Sequence, residues 1–207
     1  LGSDDNIWKQ FAELGWLGLP FLEKDGGFGG DLMDLNIIME AFGKGLVIEP
    51  YVSTVILSGS ILSMCSESTI RNKIINNIIN GVNKVSFAYA EPNSRFNVSD
   101  VSTIAKLEDN QWIINGHKSV VFGAGQADYI IISARTSGNR YDESGISLFV
   151  IEKNNPGIEI QDYPTVDGFK AAEVSLNNVI ISPENIVSDE NEAYKIIKMS
   201  IDKTLIA

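Results

Sequence analysis

Apolar residues recur at helical spacing through the first third of the chain and at strand spacing after it. Ile7, Phe11 and Leu14 stand at i, i+4 and i+7, which predicts one face of a helix. Leu35, Ile38, Met39 and Phe42 repeat the pattern behind Asp31 and Asp34, either of which can cap the helix start. Thr54 to Met64 reads as an apolar helix, and Ile70, Ile74, Ile75, Ile78 and Ile79 as another, stopped by Gly81. From Lys84 the period changes. Strands are predicted at 84–89, 103–107, 111–114, 129–134, 147–151, 158–161 and 171–176. Asp109-Asn110 joins two of them as a hairpin. Asn115-Gly116 is the strongest short turn signal, with His117 to Phe122 continuing beyond it.

These patterns predict an α+β chain: an all-helical segment over 1–84, then an antiparallel β-barrel or sandwich over 85–185. Residues 186–207 return to helical spacing through Ile196, Ile197, Met199 and Ile201, an apolar face with no evident partner in the sequence. That helix is expected to be the first of a C-terminal helical bundle that lies outside this chain.

Composition narrows the chemistry. The chain has 207 residues, is 44% hydrophobic and 21% charged, and has a mean hydropathy of +0.04, an ordinary globular balance. Its formal net charge of -11 argues against nucleic acid and anionic membranes as partners. Apolar runs such as 129–134 meet a charge within a few residues, so no membrane span is expected. One cysteine and one histidine make a disulfide or a metal site improbable, and a reduced, cytoplasmic setting is expected.

Catalytic motifs are few. The Gly26–Gly30 run follows a helical segment, where a phosphate loop should follow a strand, so it reads as a flexible interhelical link. Gly123-Ala124-Gly125 is followed by a strand and reads as a plain connection. His117 reads as a surface residue, and Glu91-Pro92 as a strand exit whose carboxylate caps a turn. Phe87 and Tyr89 alternate along a strand and suit either core packing or a flat wall for a planar ring.

The order of these features resembles the acyl-CoA dehydrogenase family. Ala12-Glu13-Leu14-Gly15-Trp16-Leu17-Gly18-Leu19 followed by Gly26–Gly30, and Met39-Glu40-Ala41-Phe42-Gly43 with Pro50, are similar to its first helical domain. Ala88-Tyr89-Ala90-Glu91-Pro92 resembles the signature before its middle β domain. Trp112 to Lys118 resembles the hairpin leading to the flavin, and Ala172-Glu173-Val174 with Val179 and Pro183-Glu184-Asn185 the end of that domain. The runs 116–121 and 133–138 are similar to the pimeloyl-CoA dehydrogenase small-subunit branch.

The resemblance implies an FAD flavoprotein of fatty-acid metabolism that oxidises an acyl-CoA thioester. A carboxylate takes the α-proton, hydride passes from the β-carbon to flavin N5, and electron-transferring flavoprotein reoxidises the flavin. It implies flavin contacts from Phe87, Ala88, Tyr89 and Ala90 and from Val120, Val121 and Phe122. Ser99, with Asp100 beside it, is implied near both the acyl-CoA and the flavin phosphates. A homo- or hetero-oligomer is also implied. Three departures stand out. Ala90 and Phe122 replace threonines of the family pattern, and Asn93–Val98 replaces a compact Gly-Ala-Gly. The catalytic carboxylate belongs to the bundle, so no catalytic residue is named in this chain. A non-catalytic partner subunit, or a flavin monooxygenase or oxidase on the same fold, is the alternative.

Overall fold

A computed structural model describes residues 3–189 and 191–207. The helical part holds α1 (Asp5–Glu13), α2 (Leu32–Gly45), α3 (Gly59–Met64) and α4 (Thr69–Ile79), with a π-helical segment at Val52–Ser58 running directly into α3. Trp8 and Phe11 are the buried face of α1, whereas Ile7 and Leu14 are 38% and 61% exposed. The periodicity is right there, but the tryptophan one residue along takes the core because it covers more apolar area. Asp31 and Asp34 both cap α2. Asp31 accepts the Met33 and Asp34 amides at 2.8 and 3.1 Å, and Asp34 accepts the Asp31 amide at 3.0 Å.

The Gly26–Gly30 run is neither a loose link nor a phosphate cradle. The amides of Gly27, Gly29 and Gly30 are spent on Leu22, Phe21 and Leu19 carbonyls at 3.0, 2.8 and 2.8 Å. A Cβ at Gly30 would stand 2.9 Å from the Leu19 carbonyl oxygen, so the glycine permits a close backbone crossing.

The β part holds β1 (Val85–Ala88), β2 (Ile104–Glu108), β3 (Gln111–Phe122), β4 (Tyr129–Arg135), β5 (Ile146–Glu152), β6 (Ile158–Pro164) and β7 (Lys170–Ile181). These form one curled sheet in which β4 is flanked by antiparallel β5 on one side and by β1 and β2 on the other. The sheet is mixed, not wholly antiparallel, because β1 and β2 both run parallel to β4. A parallel pair needs a long crossover, and the β2–β3 hairpin with its flanking loops supplies it between β1 and β4.

Asp109 and Asn110 make the β2–β3 turn with φ of 48° and 59°. Asn115-Gly116 makes no turn. It lies inside the continuous strand β3, at a register shift against β7 between Ile114 and Gly116. A Cβ on Gly116 would lie 2.7 Å from Thr103 Cα, so this glycine admits the close approach of another backbone.

One sheet face encloses Ala105, Ile114, Val121, Ile132, Phe149 and Val174. On the other face Val85, Phe87, Ile131, Leu148 and Val150 share a continuous core with Trp8, Phe42, Ile56 and Ile74 of the helices. Thr54 and Ser58, one turn apart in the π-helical segment, both donate to the Val85 carbonyl at 3.0 and 3.2 Å, and the Val85 amide donates back to Thr54 Oγ1 at 3.2 Å. The final helix, α5 (Ala193–Ile206), has partners after all: Ala193, Ile196 and Ile197 enter that same core. Its Met199, Leu205 and Ile206 remain 50%, 80% and 60% exposed. No described helix is long and apolar enough to cross a membrane.

Candidate functional site

A cavity of about 340 Å³ opens where the helices, the sheet and α5 meet. Phe87 and Tyr89 form one wall, their rings stacked with centroids 5.2 Å apart and planes 26° from parallel. Val120 and Phe122, each about half exposed at 49% and 48%, come from the end of β3. Ile48, Pro50, Val52 and Leu57 close the helical side, and Ile201, Thr204 and Leu205 of α5 form a further wall. The β6–β7 turn, from Asp167 to Lys170, brings the charged groups to the rim.

The eight residues singled out from the sequence therefore divide. Phe87, Tyr89, Val120 and Phe122 line the cavity. Ala88 and Val121 point the opposite way, into the sheet interior, because side chains alternate along a strand. Ala90 lines no part of the cavity, and its carbonyl accepts the Ser119 amide at 2.9 Å. Ser99 lies apart and buried. Its hydroxyl donates to Asn97 Oδ1 at 2.8 Å, and its carbonyl accepts from Arg135 Nη2 at 3.0 Å. Asp100 beside it is paired with Arg140.

Behind the Tyr89 wall lies a buried ion pair. Lys118 Nζ stands 2.8 Å from Glu91 Oε1 and 3.1 Å from Ser133 Oγ. The Glu91 carboxylate also accepts the amides of Ser102 and Thr103 at 2.8 and 3.0 Å, and the Ser102 hydroxyl. Glu91 is thus a structural anchor, though its carboxylate serves the approach to β2 and not its own turn. Burial alone would raise its pKa, but the Lys118 charge and the bonds from Lys118, Ser102 and Thr103 outweigh burial and bring it to about 2.

The helical wall from Ile48 to Leu57 was missed in the sequence, as were two more distant contributors. The Asp167–Lys170 turn and α5 lie far along the chain from β1 and show no motif. Asp167 is the one carboxylate among the described residues lining the cavity. The Thr165 hydroxyl lowers its pKa against the opposing effect of burial, with further help from the Phe169 amide.

The sequence pattern of the acyl-CoA dehydrogenase N-terminal domain matches residues 2–81, and that of the acyl-CoA dehydrogenase middle domain matches residues 86–179. The chain belongs to the acyl-CoA dehydrogenase family. "Probable acyl-CoA dehydrogenase YngJ" of Bacillus subtilis is 28% identical over 200 residues, covering 94% of this chain and 53% of that protein. The short-chain-specific acyl-CoA dehydrogenase of Clostridium acetobutylicum is 27% identical over 202 residues, covering 94% and 52%. The butyryl-CoA dehydrogenase of Megasphaera elsdenii superposes with a TM-score of 0.87 at 25% identity, over 98% of this chain and 55% of that one. The chain thus spans about half the length of the curated relatives it matches.

The cavity suits the ring of the family's flavin. It has aromatic walls and is largely apolar, with Ser53, Tyr89, Gln126 and Thr204 as the uncharged polar side chains on it. Positions 90 and 122 carry Ala and Phe, so neither offers a side-chain hydroxyl.

Proposed function

We propose that this chain is the FAD- and acyl-CoA-binding portion of an acyl-CoA dehydrogenase, with the isoalloxazine held between the Phe87–Tyr89 wall and the Val120–Phe122 edge. The observation that carries the reading is the stacked Phe87–Tyr89 pair opening onto an apolar cavity inside a chain of this family. Bound FAD supplies a two-electron acceptor for the α,β-dehydrogenation of an acyl-CoA thioester. The residues of this chain bind, orient and exclude water. Tyr89, backed by the stacked Phe87 ring, gives an aromatic contact surface, and the apolar helical wall lowers the local dielectric around it.

No carboxylate of this chain is assigned as the base for the α-proton. Glu91 is neutralised by Lys118, Asp100 by Arg140, and Glu173 is bonded to His117, all away from the cavity. Asp167 reaches the cavity but is bonded within its own turn. The base is accordingly proposed to be supplied by a counterpart of the half of the relatives' length that this chain does not span. Electron-transferring flavoprotein as acceptor and assembly with further dehydrogenase subunits belong to the same proposal. So does the finer likeness to the pimeloyl-CoA branch.

The test uses the intact protein. Heat release followed by chromatography should yield FAD, and anaerobic addition of a panel of acyl-CoAs should bleach the flavin band. Recovery of FMN, or of no flavin, would remove the reading. A second reading, a partner subunit that binds without turning over, is favoured by the missing hydroxyls at Ala90 and Phe122. It predicts bound FAD that no acyl-CoA bleaches.

A further inference from the structure

From Gly116 opposite Leu176, β3 and β7 pair regularly as far as Lys118 opposite Val174 and resume at Val121 opposite Ala172. Two residues, Ser119 and Val120, therefore stand against one, Glu173. Side chains alternate along a strand, and one extra residue reverses the alternation beyond it. Lys118 and Val121 are both buried inside the sheet, while Val120 and Phe122 both line the cavity. In a regular strand Phe122 would point inward with Lys118, and Val121 would face the cavity. The bulge decides which side chains form that wall. It also holds Val120 at φ 54°, a left-handed conformation that a β-branched residue disfavours.

A polar cluster sits opposite this bulge. Glu173 Oε2 is 2.7 Å from His117 Nε2, and Glu173 Oε1 accepts from the Tyr163 hydroxyl at 3.4 Å. His117 Nδ1 in turn lies 3.1 Å from Ser175 Oγ. The cluster joins three adjacent strands, β3, β7 and β6, across the two that carry the irregular register. The earlier register shift, at Ile114/Gly116, has a tie of its own. Asn115 accepts the Asn178 amide at 2.8 Å, and its side-chain amide donates to Asn178 Oδ1 at 3.1 Å. Each irregularity in the β3–β7 ladder is spanned by side-chain hydrogen bonds.

We infer that His117, Glu173 and Tyr163 form a clasp across the Ser119–Val120 bulge and so act as positioning residues for the Val120–Phe122 wall of the cavity. The consequence for FAD rests on the function proposed above. The clasp itself is a property of this chain, and the test separates the two.

The experiment compares the intact parent protein with Glu173→Leu, Tyr163→Phe and the conservative Glu173→Gln, which keeps an acceptor for Tyr163 and a partner for His117. Hydrogen exchange read by mass spectrometry on the 117–123 segment should speed up by about tenfold in Glu173→Leu and by less in Tyr163→Phe. Exchange in the β4–β5 pair should stay unchanged, and Glu173→Gln should match the parent. FAD affinity should fall by about tenfold in Glu173→Leu, with a shift of the visible flavin band, and both should be restored in Glu173→Gln. Unchanged exchange at 117–123 in Glu173→Leu would overturn the clasp. Faster exchange with unaltered FAD affinity and spectrum would overturn its positioning role. A parent protein without flavin would sink the proposed function alone, and the exchange comparison would still uphold or overturn the clasp.

Discussion

Lys118 Nζ lies 2.8 Å from Glu91 Oε1, and neither side chain reaches solvent, at 0% and 2% exposure. The pair joins the middle of β3 to the loop leaving β1, beneath the wall formed by Tyr89. Removing one member leaves the other charged and buried, which costs about 3–5 kcal/mol. Lys118→Met is expected to lose that much in urea unfolding. Adding Glu91→Gln, which removes the stranded charge but keeps acceptors for Ser102 and Thr103, should recover a large part of it.

The same carboxylate sets an acid limb. Its folded pKa of about 2 lies below the 4.5 of an unperturbed glutamate, so its stabilisation is present above pH 4.5 and is lost as pH falls toward 2. The contribution is roughly 3 kcal/mol for a shift of this size. Thermal melts between pH 5 and 2 should show a steep fall, and Glu91→Gln should flatten that fall. A parallel acid limb in the variant would place the titration elsewhere.

Phe122 is 48% exposed at the cavity mouth, so its loss should cost the fold less than the approximately 3–5 kcal/mol of a fully buried aromatic. Phe122→Ala is expected to lower stability by about 1–2 kcal/mol and FAD affinity by tenfold or more. Melts and fluorescence titration on one preparation separate the two. A large stability loss with unchanged FAD affinity would make Phe122 a packing residue only.

Arg71 is a second buried cation, with its side chain 1% exposed. It grips Asp25 with two nitrogens at 2.5 and 3.0 Å and donates from Nε to the Leu62 carbonyl at 2.9 Å. That single side chain fastens α4 to the turn before the glycine run and to the end of α3. Arg71→Met should cost about 3–5 kcal/mol, and Arg71→Lys most of that, since an ammonium cannot make the paired contact. Calorimetric melting would measure both.

Gly116→Ala should cost about 2 kcal/mol or more, because a Cβ would stand 2.7 Å from Thr103 Cα and backbone must yield. The loss should appear in urea midpoints, and Thr103→Ser should not rescue it.

That glycine also shows where sequence reading stops. Asp109-Asn110 and Asn115-Gly116 are both local turn signals, and only the first is obeyed. The second is overridden by a tertiary demand, the approach of Thr103, which no local window contains. Helix and strand positions were legible because burial imposes a period on them. The alternation of Phe87 and Tyr89 on one face was legible for the same reason, but it left core packing and a cavity wall undecided, and Phe87 takes part in both. The inward turn of Val121 and outward turn of Phe122 were not, since the bulge before them changes the parity of the strand without changing composition. Nor was the pairing of Glu91 with Lys118, whose partners lie 27 residues apart and meet only when the sheet curls. The cavity walls from α5 and the β6–β7 turn were hidden for that reason too.

The paired hydrogen bonds from Thr54 and Ser58 to Val85 bear on cooperativity. β1 is followed by strands and preceded by helices, and each half matches its own sequence pattern, so the chain could be expected to melt in two steps. Yet both backbone polar groups of Val85 are satisfied by helical side chains where a neighbouring strand would otherwise serve. Peeling the halves apart would break those bonds and expose to water the core that Phe87 and Val150 share with the helices. Helices and sheet are therefore expected to unfold together, in a single calorimetric transition whose van't Hoff and measured enthalpies agree. Thr54→Val removes two of the three bonds at the joint and leaves the Ser58 bond and the shared core, so it should lower the melting temperature while keeping a single transition.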